Sequence, residues 1–211
     1  MLRALLLSMV LATLLGATPL VAEQTATVDA VDIQVLDRDL VGIRDGAAAL
    51  RERLKTRERI AWMKARGVVG AVLTGQRFLA FSTRSAGWQQ EHLSAARDGD
   101  SYVALAANLA LCITQRRVLA FSAGSGSILA ESLSPGEAVL DSAVNEHTGV
   151  IITNRRALGY SSHSSKSSEI KLHVNEELIS IRAIANSASV RTTERLLIFN
   201  TPSRSWTAED G

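Results

Sequence analysis

Four arginines hold the same place in four copies of one short motif. The copies begin at Thr74, Thr114, Thr153 and Thr192, and each Thr is followed three residues later by Arg77, Arg117, Arg156 or Arg195. A guanidinium offers paired donors that match a carboxylate or a phosphate. Gathered around one opening, four of them would bind a polyanion such as an acidic glycan or a lipid head group. Arg116 and Arg155 occupy the adjacent turn position, as does Arg38, so the candidate ligand-binding set is Arg77, Arg117, Arg156, Arg195, Arg116 and Arg155.

A second charge recurs with the first. Sixteen residues before each motif Thr stands an acid: Glu58, Asp98, Glu137 and Glu176. A belt of Arg–carboxylate pairs would explain both charges with no ligand at all. Exposed pairs contribute about 0–1 kcal/mol each, so such a belt would orient the repeating units more than hold them together. Whether the arginines are free or paired with these acids is a question for the tertiary structure.

Other chemistry is sparse. His92, His147, His163 and His173 show no pair at metal-ligand spacing and have no companion cysteines, so no metal and no cofactor are expected. No G-x-S-x-G elbow or phosphate-cradling glycine loop is written, and the GSGS stretch at Gly124–Ser127 reads as a loop. Asp100, Asp141 and Glu177 are the acids that a ring could bring together for glycoside cleavage, which needs two carboxyl groups about 5–9.5 Å apart. The single cysteine, Cys112, sits in an apolar run and reads as a small buried hydrophobe.

The elements that position these residues follow from the repeat. The motif threonines are spaced 40, 39 and 39 residues apart, and a weaker copy, LDRDLVGIR, starts at Leu36. A period of this size marks a repeat architecture. Within each copy the residues after the Arg alternate, as in Leu79/Phe81 against Ala80/Ser82, which is strand patterning with both faces apolar or small. Another apolar run precedes the Thr, only two residues away from the next, which makes a hairpin. With one more run on each side, every unit holds four strands in an antiparallel meander. Ala47–Arg66 contains helix formers, but in register it is the outer strand of one unit followed by the inner strand of the next. SSHSSKSS, 161–168, reads as a loop between third and fourth strands. Trp88 and Trp206 share one repeat position with Leu50 and Ile128, which reads as the outer edge of the core, with sugar stacking as the alternative if the rings are exposed.

The first 22 residues have one early positive charge at Arg3, an apolar stretch and small residues near Ala22, the layout of a secretory signal. Removing 1–22 leaves 189 of the 211 residues, 23–211, as a single domain. That implies an exported protein, periplasmic or extracellular, with no stable membrane anchor. The net charge of +2 is too small to argue for nucleic acid.

On its period and strand pattern the chain resembles the small five-bladed β-propellers, a group that includes sugar-binding lectins and glycoside-cleaving enzymes. The expectation is an all-β, five-bladed β-propeller of four-stranded, roughly 39-residue repeats at about 23–57, 58–97, 98–136, 137–175 and 176–211. Closure of the ring by strand exchange or by packing alone is left open. Units that differ in length by only a residue or two argue against an active-site insertion. The reading is therefore a non-catalytic binding or scaffolding domain for a protein partner. The alternatives are a lectin-like or polyanion binder working through the Arg rim, and a glycoside hydrolase.

Overall fold

The computed structural model describes residues 29–210. The expected signal segment, 1–22, lies outside the described residues, as does the place before Asp29 where the repeat puts the first strand of the first unit. The chain is a five-bladed β-propeller of antiparallel meanders. The first blade contains β1 (Val31–Leu36), β2 (Asp39–Arg44) and β3 (Ala47–Arg53), and the second β4 (Ile60–Arg66), β5 (Val69–Thr74), β6 (Arg77–Ser82) and β7 (Gln89–His92). One helical turn, α1 (Ala95–Asp98), leads into the third blade, β8 (Ser101–Leu105), β9 (Leu109–Thr114), β10 (Arg117–Ser122) and β11 (Ser127–Ser132). The fourth holds β12 (Val139–Asn145), β13 (Thr148–Thr153), β14 (Arg156–Ser161) and β15 (Ser168–Lys171). The fifth holds β16 (Leu178–Ile184), β17 (Ser187–Thr192), β18 (Arg195–Asn200) and β19 (Ser205–Asp210).

The segment with helix formers, Ala47–Arg66, divides into β3 and β4, because its apolar residues are needed on two different blades. The serine-rich stretch runs from the last residue of β14 to the first of β15, and GSGS from the β10–β11 turn into the first residue of β11.

Burial on both faces explains why the middle positions of these strands are apolar or small, with polar residues only at their ends. Every residue of β5, β6, β9 and β13 is buried. Four apolar clusters join successive blades, and each is built the same way. An aromatic residue on the third strand of one blade meets a small residue on the third strand of the blade before it. Phe81 lies against Gly42 and Phe199 against Gly159, where an added Cβ would stand 2.8 and 2.5 Å from the rings. Phe121 shares a cluster with Ala80, and Tyr160 with Ala120. Trp88 and Trp206 pack on Phe81 and Phe199 at ring-centroid distances of 4.5 and 5.2 Å, at the outer edge of the core as their repeat position implied.

Backbone bonds repeat with the packing. Ala30, Val68, Asn108 and His147 donate their amides to Gly67, Ala107, Glu146 and Ala185 of the following blade, over 2.7–3.2 Å.

Among the described residues, neither packing nor strand exchange joins the fifth blade to the first. The first blade turns Asp32, Gln34 and Ile43 to solvent, and the fifth turns out Arg182, Ile184 and Arg191. Among the described residues, the first and fifth blades of the propeller each keep one open end face. At the positions that carry an aromatic and a small residue elsewhere, those faces carry Ile43 and Ile198.

Candidate functional site

The motif turns and the blade-to-blade links open on one rim, as the repeat required. The first element there is the Thr. Thr74 Oγ1 accepts the amide of Arg77 at 3.0 Å and donates to Glu58 Oε1 at 2.7 Å. Thr153 and Thr192 make the same bonds to their turns and to Glu137 and Glu176. Thr114 holds its turn in the same way without reaching Asp98, an acid one methylene shorter. Sequence reasoning alone does not assign this hydroxyl role, because a β-branched Thr also suits a strand end. The recurrence of Thr, where Val would serve a strand as well, was the available signal.

The arginines turn inward. Arg77 forks onto Glu58 through Nε at 2.8 Å and Nη2 at 3.0 Å, and Arg195 forks onto Glu176 at 3.0 and 2.9 Å. Arg117 pairs with Asp98 and Arg156 with Glu137, each through Nε at 2.8 Å. The remaining donors reach the outer strand of the preceding blade. Nη2 of Arg77, Arg156 and Arg195 bonds the carbonyls of Arg53, Ser132 and Lys171 at 2.7, 3.0 and 2.7 Å, and Arg117 does the same with His92. Each acid also accepts a link amide, from Lys55, Ser94, Ser134 or His173, at 2.7–2.8 Å.

Burial alone would raise the Glu58 pKa. The hydrogen bonds from Arg77, Thr74 and the Lys55 amide outweigh it and hold the carboxyl at about 2. Glu176 is brought to about 2 by the balance of burial against Arg195, the His173 amide and Thr192. Asp98 and Glu137 are likewise lowered, against the effect of burial, by Arg117 and Arg156.

Of the six candidate ligand-binding arginines, Arg77, Arg117, Arg156 and Arg195 therefore spend their donors on the protein. Arg116 and Arg155 stand exposed on the rim, Arg155 donating to Pro135 O at 2.9 Å.

Beside Arg155 an open cleft of about 690 Å³ runs between the fourth and fifth blades. Leu140, Leu172, Val174 and Leu178 line it together with Asn154 and Glu177. Val174 is 86% exposed and Leu140 is 52% exposed, unusual values for apolar residues beside one another on a rim. A smaller cleft of about 450 Å³ between the third and fourth blades contains Asp100 and Tyr102. The acids considered for glycoside cleavage are thus divided: Asp100 lines the second cleft, Glu177 the first, and Asp141 neither.

Two histidine pairings arise only from the fold. His147 and His163 stack on the opposite rim with centroids 4.8 Å apart, and His147 Nδ1 lies 2.8 Å from Ser162 Oγ. Burial, then the neighbouring His163, lowers the His147 pKa. His173 lies 2.7 Å from Glu194 and near Glu176. Both Glu176 oxygens are already bonded to Arg195, Thr192 and the His173 amide, which leaves two exposed ligands and no complete cation site.

No family model matches the chain, and no curated protein matches it. Among solved structures it is similar to Kluyveromyces lactis Hsv2p, at 10% identity and a TM-score of 0.39, over 82% of this chain and 59% of that one. It is also similar to Saccharomyces cerevisiae Prp20p, at 8% identity and a TM-score of 0.38, over 77% of this chain and 54% of that one. A third similarity is to PorZ of Porphyromonas gingivalis, at 12% identity and a TM-score of 0.38, over 86% and 27% of the two chains. The chain spans a little over half the length of the first two.

Proposed function

We propose that this is an exported, non-catalytic binding or scaffolding propeller that docks a protein partner on its Arg-bearing rim. One observation carries the reading: Val174 and Leu140, 86% and 52% exposed, beside the cleft between the fourth and fifth blades, with Arg155 and Glu177 on its border. An apolar strip bordered by both charges suits a peptide segment whose side chains fill the cleft and whose polar groups meet the border. The regular length of the repeats favours binding over catalysis. The division of the candidate acids between two clefts supports the same preference.

The test places a photo-crosslinking amino acid at Val174 in cells that produce the protein, with Ser203 as the control position. A discrete protein adduct from Val174, absent from Ser203 and abolished by Leu140→Glu, supports docking at this cleft. Equal adducts from both positions, or none, overturn it. Salt-sensitive binding to anionic vesicles that is lost in Arg116→Ala/Arg155→Ala would instead favour the anionic-ligand reading.

A further inference from the structure

The two open end faces occupy the positions that bury one another at every internal blade interface. We propose that they do so between two copies of this chain, the fifth blade of one copy stacking on the first blade of the other.

The argument starts from the internal rule. Phe81, Phe121, Tyr160 and Phe199 each pack toward the preceding blade, where Gly42, Ala80, Ala120 and Gly159 leave room. Carried one step further by the repeat spacing, the receiving position on the fifth blade is Ile198 and the inserting position on the first is Ile43. Ile43 is 37% exposed, and Ile198 lines an open groove of about 460 Å³ on the fifth blade. Two medium-sized side chains replace one large and one small, which conserves the volume to be filled.

The polar residues are complementary in the same register. The positions occupied by Gly70, Ala110, Gly149 and Ala188 in the other blades hold Asp32 in the first. At the interface between the third and fourth blades, Gly149 faces Leu109 and Leu111. The fifth-blade residues at those two positions are Ser187 and Ser189, and Ser189 has Arg182 as its cross-strand partner. Stacking therefore sets one carboxylate against two hydroxyls and a guanidinium. A buried acid at a blade interface requires such donors. The backbone agrees: Asn186 N follows Ala30, Val68, Asn108 and His147 in the series of inter-blade donors, and Asp29 O precedes Gly67 O in the series of acceptors. Within one described chain both faces are open, so a second copy supplies the missing surface. The contact is heterologous, so the rotation between the two end faces sets how many copies close on one another.

The test uses the purified protein, whose native Cys112 is buried. An Ile43→Cys chain is mixed with an Ile198→Cys chain and a short bis-maleimide, and the mass of the parent protein is measured by light scattering across concentration. The proposal expects a mixed cross-linked product, a mass at least twice that of one chain, at least tenfold weaker association in Asp32→Arg, and recovery in Asp32→Arg/Arg182→Asp. Circular dichroism verifies that each variant stays folded. A single-chain mass at all concentrations overturns the proposal. Association that survives Asp32→Arg unchanged and gives no mixed product overturns it as well.

Discussion

Arg77 and Glu58 form a two-point ion pair with side-chain exposures of 2% and 0%, on a rim where exposed charge was one of the two expectations. The pair ties three pieces of chain together: the acid belongs to the link, the arginine to β6, and the Arg53 carbonyl it also holds to the blade before. The same fork recurs at Arg117, Arg156 and Arg195, so the belt sets the register of one blade on the next. Its energetic character is that of a buried pair, in which the loss of one partner strands the other.

Arg77→Met should therefore cost about 3–5 kcal/mol, because Glu58 is left buried and unpaired. Arg116→Met, on the exposed neighbouring turn position, should stay within about 0.5 kcal/mol of the parent. Urea denaturation of the two variants measures the difference, and equal losses would refute the inward role of Arg77.

Acid should unfold the protein through these carboxyls. Glu58 and Glu176 have folded pKa values of about 2 against an ordinary 4.5. A depressed folded value means that the stabilisation is complete above the unfolded pKa and is lost as pH falls toward the folded one. The urea midpoint should hold between pH 7 and 5, then drop steadily from pH 4.5 toward 2. Glu58→Gln should lower the whole curve and flatten this acid limb.

Tyr160 takes the place that phenylalanine holds in three other blades, and its hydroxyl is buried without a hydrogen-bond partner among the described residues. Burial accordingly raises its pKa. Removing an unsatisfied buried hydroxyl recovers part of a desolvation cost of about 1–3 kcal/mol. Tyr160→Phe should leave the thermal midpoint unchanged or raise it, and a clear fall would mean that the hydroxyl has a partner.

Gly159 gives the Phe199 ring its place, since an added Cβ would stand 2.5 Å from it. Gly159→Ala should cost about 1–3 kcal/mol by overpacking. Gly75→Ala, with open space around the new carbon, should be silent in the same denaturation assay.

Cys112 is buried in the second cluster of inter-blade contacts along the chain, and burial pushes its pKa up to about 12. A thiol reagent at neutral pH should react only as fast as the protein opens and at full speed in denaturant. Rapid labelling of the native protein would show that the cluster is breached.

Local pattern was enough to specify a great deal of this protein. Two-residue alternation and a period near 39 dictate the strands, the hairpins and the number of blades. The sixteen-residue offset from Thr to acid dictates that both charges lie on one rim. These are properties of neighbours along the chain, so the order of residues contains them. The tertiary structure alone decided which way the charges face, because a guanidinium turns inward only where a carboxylate, a hydroxyl and a carbonyl from three segments converge. It also brought His147 to His163 and His173 to Glu194, residues with no spacing rule between them. The exposure of Val174 and Leu140, and the open faces at Ile43 and Ile198, likewise depend on what packs across a blade, a relation between distant segments that no short window of residues contains.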